Sequence, residues 1–304
     1  MKETIDPRLK TQDLRQKPTL FGKAIFCIVF SLWSLVFGLW SCEASTLLYS
    51  RLTDGFWQIW KHEDSREPAQ LTFSSYDKRY PSITSKGEAI FHSNNDRCFL
   101  LTKDGKEEEL LADLQPVRDI IASPREDIYV FTKFRHDVID ESHLWVLDTL
   151  NNKRQMITQD AGLQYQPAFS WDGTKIVYTA GQGPDSKDIF IINRDGTGKK
   201  QLTENKSNDL NPSFSPDGMN IVFSSAATGD NEIWIMGVDG TNAKPLTDAK
   251  GLDTRPVFSP DGKTIAFASN RSGKMEIWVM NSDGTNQQTW FTSNEAETCD
   301  PYLY

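Results

Sequence analysis

Hydrophobic residues in this chain come in short bursts separated by glycine, proline, asparagine and aspartate. From Pro212 onward the bursts read PSFS, NIVFSS, EIWIMGV and KPLT, with PDG, AATGDN and DGTNA between them. No 3.6-residue period runs through them, so the pattern predicts four short β-strands joined by turns. The turns have a physical reason for their residues. Pro216 presets φ for the first corner of a type I turn, Asp217 suits the second, and Gly218 takes the left-handed conformation that closes the hairpin. DGT at Asp195, Asp239 and Asp283 does the same work between the third and fourth strands.

The pattern recurs. The aromatic residue of EIWIM reappears as Trp60, Phe99, Trp145, Phe190, Trp234 and Trp278, in steps of 39, 46, 45, 44 and 44 residues. The apolar residue of the LT pair reappears as Leu71, Leu111, Ile157, Leu202, Leu246 and Phe291, in steps of 40, 46, 45, 44 and 45. Two independent markers keep one stride through six units, and a period in the forties made of strands predicts a β-propeller. One aromatic per blade at a fixed strand position reads as packing between blades, not as a ligand stack. Cys98 stands where the other units have Ile59, Leu144, Ile189, Ile233 and Ile277, so it reads as a core residue.

The ends of the chain complement each other. Asp300–Tyr304 (DPYLY) is a first strand without its blade, and LLYSR at Leu47 matches the second strand IVFSS at Ile221. The expected fold is therefore all-β: six four-stranded antiparallel blades over residues 45–304, closed by the C-terminal strand.

Ahead of the repeats the pattern changes. Residues 1–23 form a net-positive leader, and residues 24–40 (AIFCIVFSLWSLVFGLW) carry no charge. Basic then apolar is the order of an export or anchor segment, here residues 24–44, expected as one hydrophobic helix. Three readings stay open. Leu-Trp-Ser-Cys resembles a lipobox with Cys42 as the lipidated residue. Cleavage before Ser45 gives a free protein. An uncut segment gives a single membrane anchor. All three place the repeats outside the cytoplasm, in the periplasm or at the cell surface, with membrane association through the N-terminus in the first and third.

Net charge is −9, and residues 43–304 hold 27 basic against 39 acidic residues. An acidic body of this kind excludes non-specific nucleic-acid binding, which needs a basic face.

NPSFSPDG, RPVFSPDGKTIAFASNRSG, EIWVMNSDGTN and KPLT resemble the repeats of the TolB-type, or PD40, propellers, closely over about residues 165–304 and more loosely before them. The resemblance implies a six-bladed propeller outside the cytoplasm, whose mouth receives protein partners of the cell envelope. The family's founding member serves the Tol–Pal envelope system and carries an N-terminal α/β domain for which this sequence has no residues.

Catalytic signatures are sparse. There is no G-x-S-x-G, H-E-x-x-H or C-x-x-C, and the His136 and His143 pair lacks a familiar metal spacing. GQGPDS at Gly181 opens a strand and reads as a hairpin loop, and ENKSND and SNRSG hold glycosylation-like triplets. What remains is propeller geometry. The residue before each repeat's proline, or before Ile120 where the third unit lacks the proline, should face the central channel: Tyr80, Asp119, Gln166, Asn211, Arg255 and Asp300. These are polar and differ from blade to blade, which suits a recognition surface on a rigid scaffold as well as a water-lined channel. No cofactor is required; a calcium ion held by Asp209, Asp253 and Asp300 is conceivable because hard cations want several carboxylates. The preferred function is a non-enzymatic module binding a protein or peptide at the mouth. The alternative is a propeller hydrolase, lyase or carbohydrate-binding protein, with Asp119 and Asp300 as the carboxylates to watch.

Overall fold

A computed structural model describes residues 46–63, 66–135, 140–181, 186–290 and 296–304. The expected N-terminal helix, the lipidation candidate Cys42, the repeat marker Phe291, His136 and most of GQGPDS lie outside the described residues. Among those described, 24 strands form six separate four-stranded antiparallel sheets, as the repeat predicts. The fifth sheet is representative: Asp209–Phe214, Asn220–Ser225, Glu232–Gly237 and Lys244–Pro245, in that order.

The strands differ in burial because each sheet is sandwiched between its neighbours. Second strands such as Thr264–Ser269 (TIAFAS) are buried at every position, so they read as unbroken apolar runs instead of alternating. Fourth strands pair over as few as two residues and are more exposed. Six hydrophobic clusters fill the six spaces between adjacent blades. In one, Ile90 and Cys98 of the second blade meet Val117, Ile120 and Phe131 of the third. Cys98 is fully buried and burial pushes its thiol up, so it packs as a core residue. The recurring aromatics Trp60, Phe99, Trp145, Phe190, Trp234 and Trp278 all lie in or against these clusters.

Ring closure follows the expected scheme. The C-terminal strand pairs with Leu47–Thr53 and completes the first blade. Thr46 and Tyr304 exchange backbone hydrogen bonds, each 3.0 Å long. The strand spans Thr298–Leu303, two residues earlier than the sequence suggested. A bulge at Asp300 is the cause: the ladder resumes beyond it, with Cys299 opposite Ser50 and Thr298 opposite Arg51.

The turns carry their own ties. The Ser215 hydroxyl donates to Asp217 Oδ1 (2.5 Å) and accepts the Asn220 N–H (2.9 Å), and Gly218 closes the turn at φ +70°. Ser170 repeats both contacts with Asp172 and the Lys175 N–H, and Ser259 with Asp261 and the Thr264 N–H. The recurring LT pair is explained by its threonine. Thr158 and Thr247 are buried, and their hydroxyls accept the backbone N–H of Leu144 and Ile233 at 2.9 Å. Thr72 and Thr203 do the same for Ile59 and Ile189, and Thr298 of the closing strand, outside the LT pair, does it for Ile277.

Candidate functional site at the channel mouth

Each innermost strand except the C-terminal one starts at one end of the ring and runs to the turn before its second strand at the other. Each register shifts at the residue before the repeat's proline, or before Ile120 in the third blade, at Tyr165/Ala168 and Leu210/Ser213 for example. All six of these residues take φ between +50° and +57°. A left-handed residue inserted in a strand makes a bulge and re-aims its side chain. Here all six side chains are turned onto one central cavity of about 850 Å³. The structure thus brings together Tyr80, Asp119, Gln166, Asn211, Arg255 and Asp300, as the repeat arithmetic expected.

Half of this ring is a latch between blades. Asp119 Oδ2 accepts the backbone N–H of Gln166 (3.0 Å) and the Thr132 hydroxyl (3.3 Å). Gln166 Oε1 accepts the backbone N–H of Asn211 (3.0 Å) and the Thr179 hydroxyl (3.1 Å). Asn211 Oδ1 accepts the Thr254 hydroxyl at 3.1 Å. The left-handed bulge leaves a backbone N–H without a ladder partner, and the preceding blade's side chain satisfies it. The second blade makes a related tie with His92, because Ile120 stands where the other five blades have proline and so has an N–H to satisfy. The His92 Nε2 accepts the Ile120 N–H at 3.0 Å and its Nδ1 faces Cys98 Sγ at 3.7 Å. Burial lowers its pKa, so the ring is neutral. Sequence reasoning missed His92; the available signal was its repeat position, that of Thr132, Thr179 and Ser224.

In the other half Asp300 Oδ2 accepts the Tyr80 N–H at 3.4 Å, as in the latch, but the carboxylate also gathers two arginines. Asp300 is almost wholly covered and is held by Arg79, through Nε at 2.5 Å and Nη2 at 3.2 Å, and by Arg255. Arg79 lies over the rings of Trp57 (4.5 Å) and Tyr80 (5.3 Å). Arg255 lies 4.3 Å over the Tyr80 ring and donates to its hydroxyl at 2.9 Å. Arg79 and Trp57 were absent from the sequence reading, although Arg79 recurs as Arg118 in the third blade.

The three aspartates considered for calcium are not brought together. Asp209 accepts from Ser225 (2.5 Å) and Asn205 (2.7 Å), and Asp253 is taken by Ser269 and Arg271. Among the described residues no three histidine, cysteine or acidic side chains are grouped as metal ligands would be. His143 is bonded to Gln164 Oε1 (2.9 Å) and Glu141 Oε1 (3.1 Å).

With this geometry in place, comparison with known proteins gives a consistent result. None of the curated proteins matches the chain. TolB from Acinetobacter baumannii superposes with a TM-score of 0.75 at 18% identity, over 94% of this chain and 73% of that one. A TolB-designated protein of Agrobacterium tumefaciens gives 0.69 at 21%, over 82% and 88%. The fold is shared more widely: oligogalacturonate lyase from Vibrio parahaemolyticus gives 0.56 at 13%, over 82% and 75%. The TolB beta propeller domain model, PD40, matches residues 100–230 and 211–301, most of the six blades. On that match, the chain belongs to the TolB beta propeller domain family.

Proposed function

We propose that this protein is an exported, envelope-associated, non-enzymatic interaction module that binds a protein or peptide partner at the mouth of its channel. The observation that carries the reading is the ring itself. Six residues share one strained backbone geometry and one cavity, yet differ in chemistry from blade to blade. Asp119, Gln166 and Asn211 tie blades together, whereas Tyr80 and Arg255 contact each other across the cavity. Variation on a fixed scaffold is the mark of recognition. Export rests on the basic leader and the uncharged run at residues 24–40. Mass spectrometry of the native protein separates the three N-terminal outcomes: lipidated Cys42, a start at Ser45, or an intact Met1 in the membrane fraction.

The test is capture from native envelopes by wild type, Arg255→Glu and Asn211→Ala, each shown to be folded by its melting curve. A partner that is captured by wild type and lost with Arg255→Glu supports the reading. A partner held equally by both variants overturns the mouth as its site. Turnover of a glycan or peptide without a captured protein moves the function to the enzyme alternative.

A further inference from the structure

Three of the six mouth residues, Tyr80, Gln166 and Arg255, are ones their backbone disfavours, and only Gln166 is accounted for by the latch. At φ near +55° asparagine and aspartate are tolerated, whereas bulky side chains strain. Tyr80 (φ +56°) and Arg255 (φ +57°) accept that strain. Neither side chain takes a backbone N–H of the next blade, as Asp119 and Gln166 do. Backbone strain unexplained by the scaffold points to function. What these two build, with Arg79 and Trp57, is a stacked row of aromatic rings and guanidiniums over one covered carboxylate. The side chains of Arg79 and Arg255 are 27% and 24% exposed, against 2% for Asp300. One carboxylate therefore serves two guanidiniums, whose further N–H groups remain at the cavity. Asp77, which also lines the cavity, is engaged by the backbone N–H of Trp57, which it accepts at 2.9 Å.

We propose that this sector is the binding hot spot and that it reads a carboxylate, on an acidic side chain or a free C-terminus, of an extended peptide segment. Tryptophan, tyrosine and arginine in a preorganised cluster are the residues that dominate interface energetics. Paired guanidiniums suit a carboxylate. Asp300 then acts as an internal stand-in that keeps both arginines oriented while the mouth is empty. The inference rests on the mouth being a peptide-recognition site, and it makes a distinctive demand. Asp300 competes with the ligand for the arginines, so neutralising it strengthens binding.

The experiment selects random displayed peptides on the full chain in detergent. It then measures the best peptide by fluorescence anisotropy beside its Asp→Asn or Glu→Gln counterpart. Acidic residues are expected to be enriched, and the neutral counterpart to bind ~10- to 100-fold more weakly. Arg79→Gln is expected to lose a similar factor, and Asp300→Asn, which keeps both arginines, to bind the acidic peptide several-fold more tightly. Enriched peptides without acidic preference, or weaker binding by a folded Asp300→Asn, overturn the carboxylate assignment and leave peptide recognition standing. If no peptide is enriched, or if oligogalacturonate binds in place of peptides, peptide recognition fails and this inference with it.

Discussion

Closure of the ring by its last strand sets the most direct test of the architecture. Leu303 is 4% exposed, pairs with Leu47, and packs in the cluster that joins the last blade to the first through Tyr49, Ala266, Ile277 and Val279. Truncating it to alanine removes buried methyl groups from a site with well-packed walls on both sides, which costs ~2–5 kcal/mol. For a domain of this size that lowers Tm by ~5–15 °C. Deleting Asp300–Tyr304 does far more. It takes away Leu303, the Tyr302 and Tyr304 rings against Leu48 and Ile59, and the two backbone hydrogen bonds to Thr46. It also leaves Arg79 and Arg255 without their shared carboxylate. At ~1.5–3 kcal/mol for each large side chain, the three together reach ~5–9 kcal/mol, comparable to the whole stability of an ordinary domain. Thermal unfolding followed by far-ultraviolet circular dichroism should rank wild type above Leu303→Ala, and both well above the deletion. A deletion that melts within about 2 °C of wild type, against the ~5–15 °C expected for the mildest variant, would refute closure through this strand.

Three further outcomes follow from single residues. Thr247→Val keeps the shape but leaves the buried Ile233 N–H without an acceptor and removes the partner of Glu232, so it should cost ~1–3 kcal/mol in denaturant unfolding. Gly240→Ala should destabilise more than Gly218→Ala: both glycines have positive φ, but a Cβ at Gly240 meets Leu202 O at 2.8 Å whereas the one at Gly218 meets nothing within 4 Å. Burial lowers the pKa of His92 from its ordinary 6.5, so the unfolded chain binds more protons below that pH. Stability should therefore be full above pH 6.5 and fall as the pH drops below it, and His92→Thr should flatten that part of the slope in melts across pH 7 to 5.

Much of the fold was legible because its signals are local and repeated. The Ser-Pro-Asp-Gly turn, the Asp-Gly-Thr turn and one aromatic per blade give the stride, and DPYLY set against LLYSR gives the closure. The mouth was legible only in part. Counting back from the prolines located five of the ring residues, and the repeat alignment placed Asp119 before Ile120, but neither showed their left-handed backbone. A trace of it was present, since three of the six are asparagine or aspartate. The partition of the ring into latch and hot spot was hidden, because it depends on contacts remote in sequence. Arg79 reaches Asp300 across 221 residues, and Arg255 reaches Tyr80 across 175. His92 was hidden for a simpler reason: a histidine stands where other blades place a hydroxyl, so the repeat gave no chemical likeness to follow.

The central claim is that this end of the channel meets the partner. A photo-crosslinking aromatic residue placed at Tyr80, 38% exposed at the mouth, can be compared in native envelopes with one placed at Met219, 67% exposed beside the Ser-Pro-Asp-Gly turn at the opposite end of the same strands. The account predicts a discrete crosslinked protein from Tyr80 and none from Met219, although Met219 is the more accessible position. The same adduct from both positions, or from Met219 alone, would contradict it.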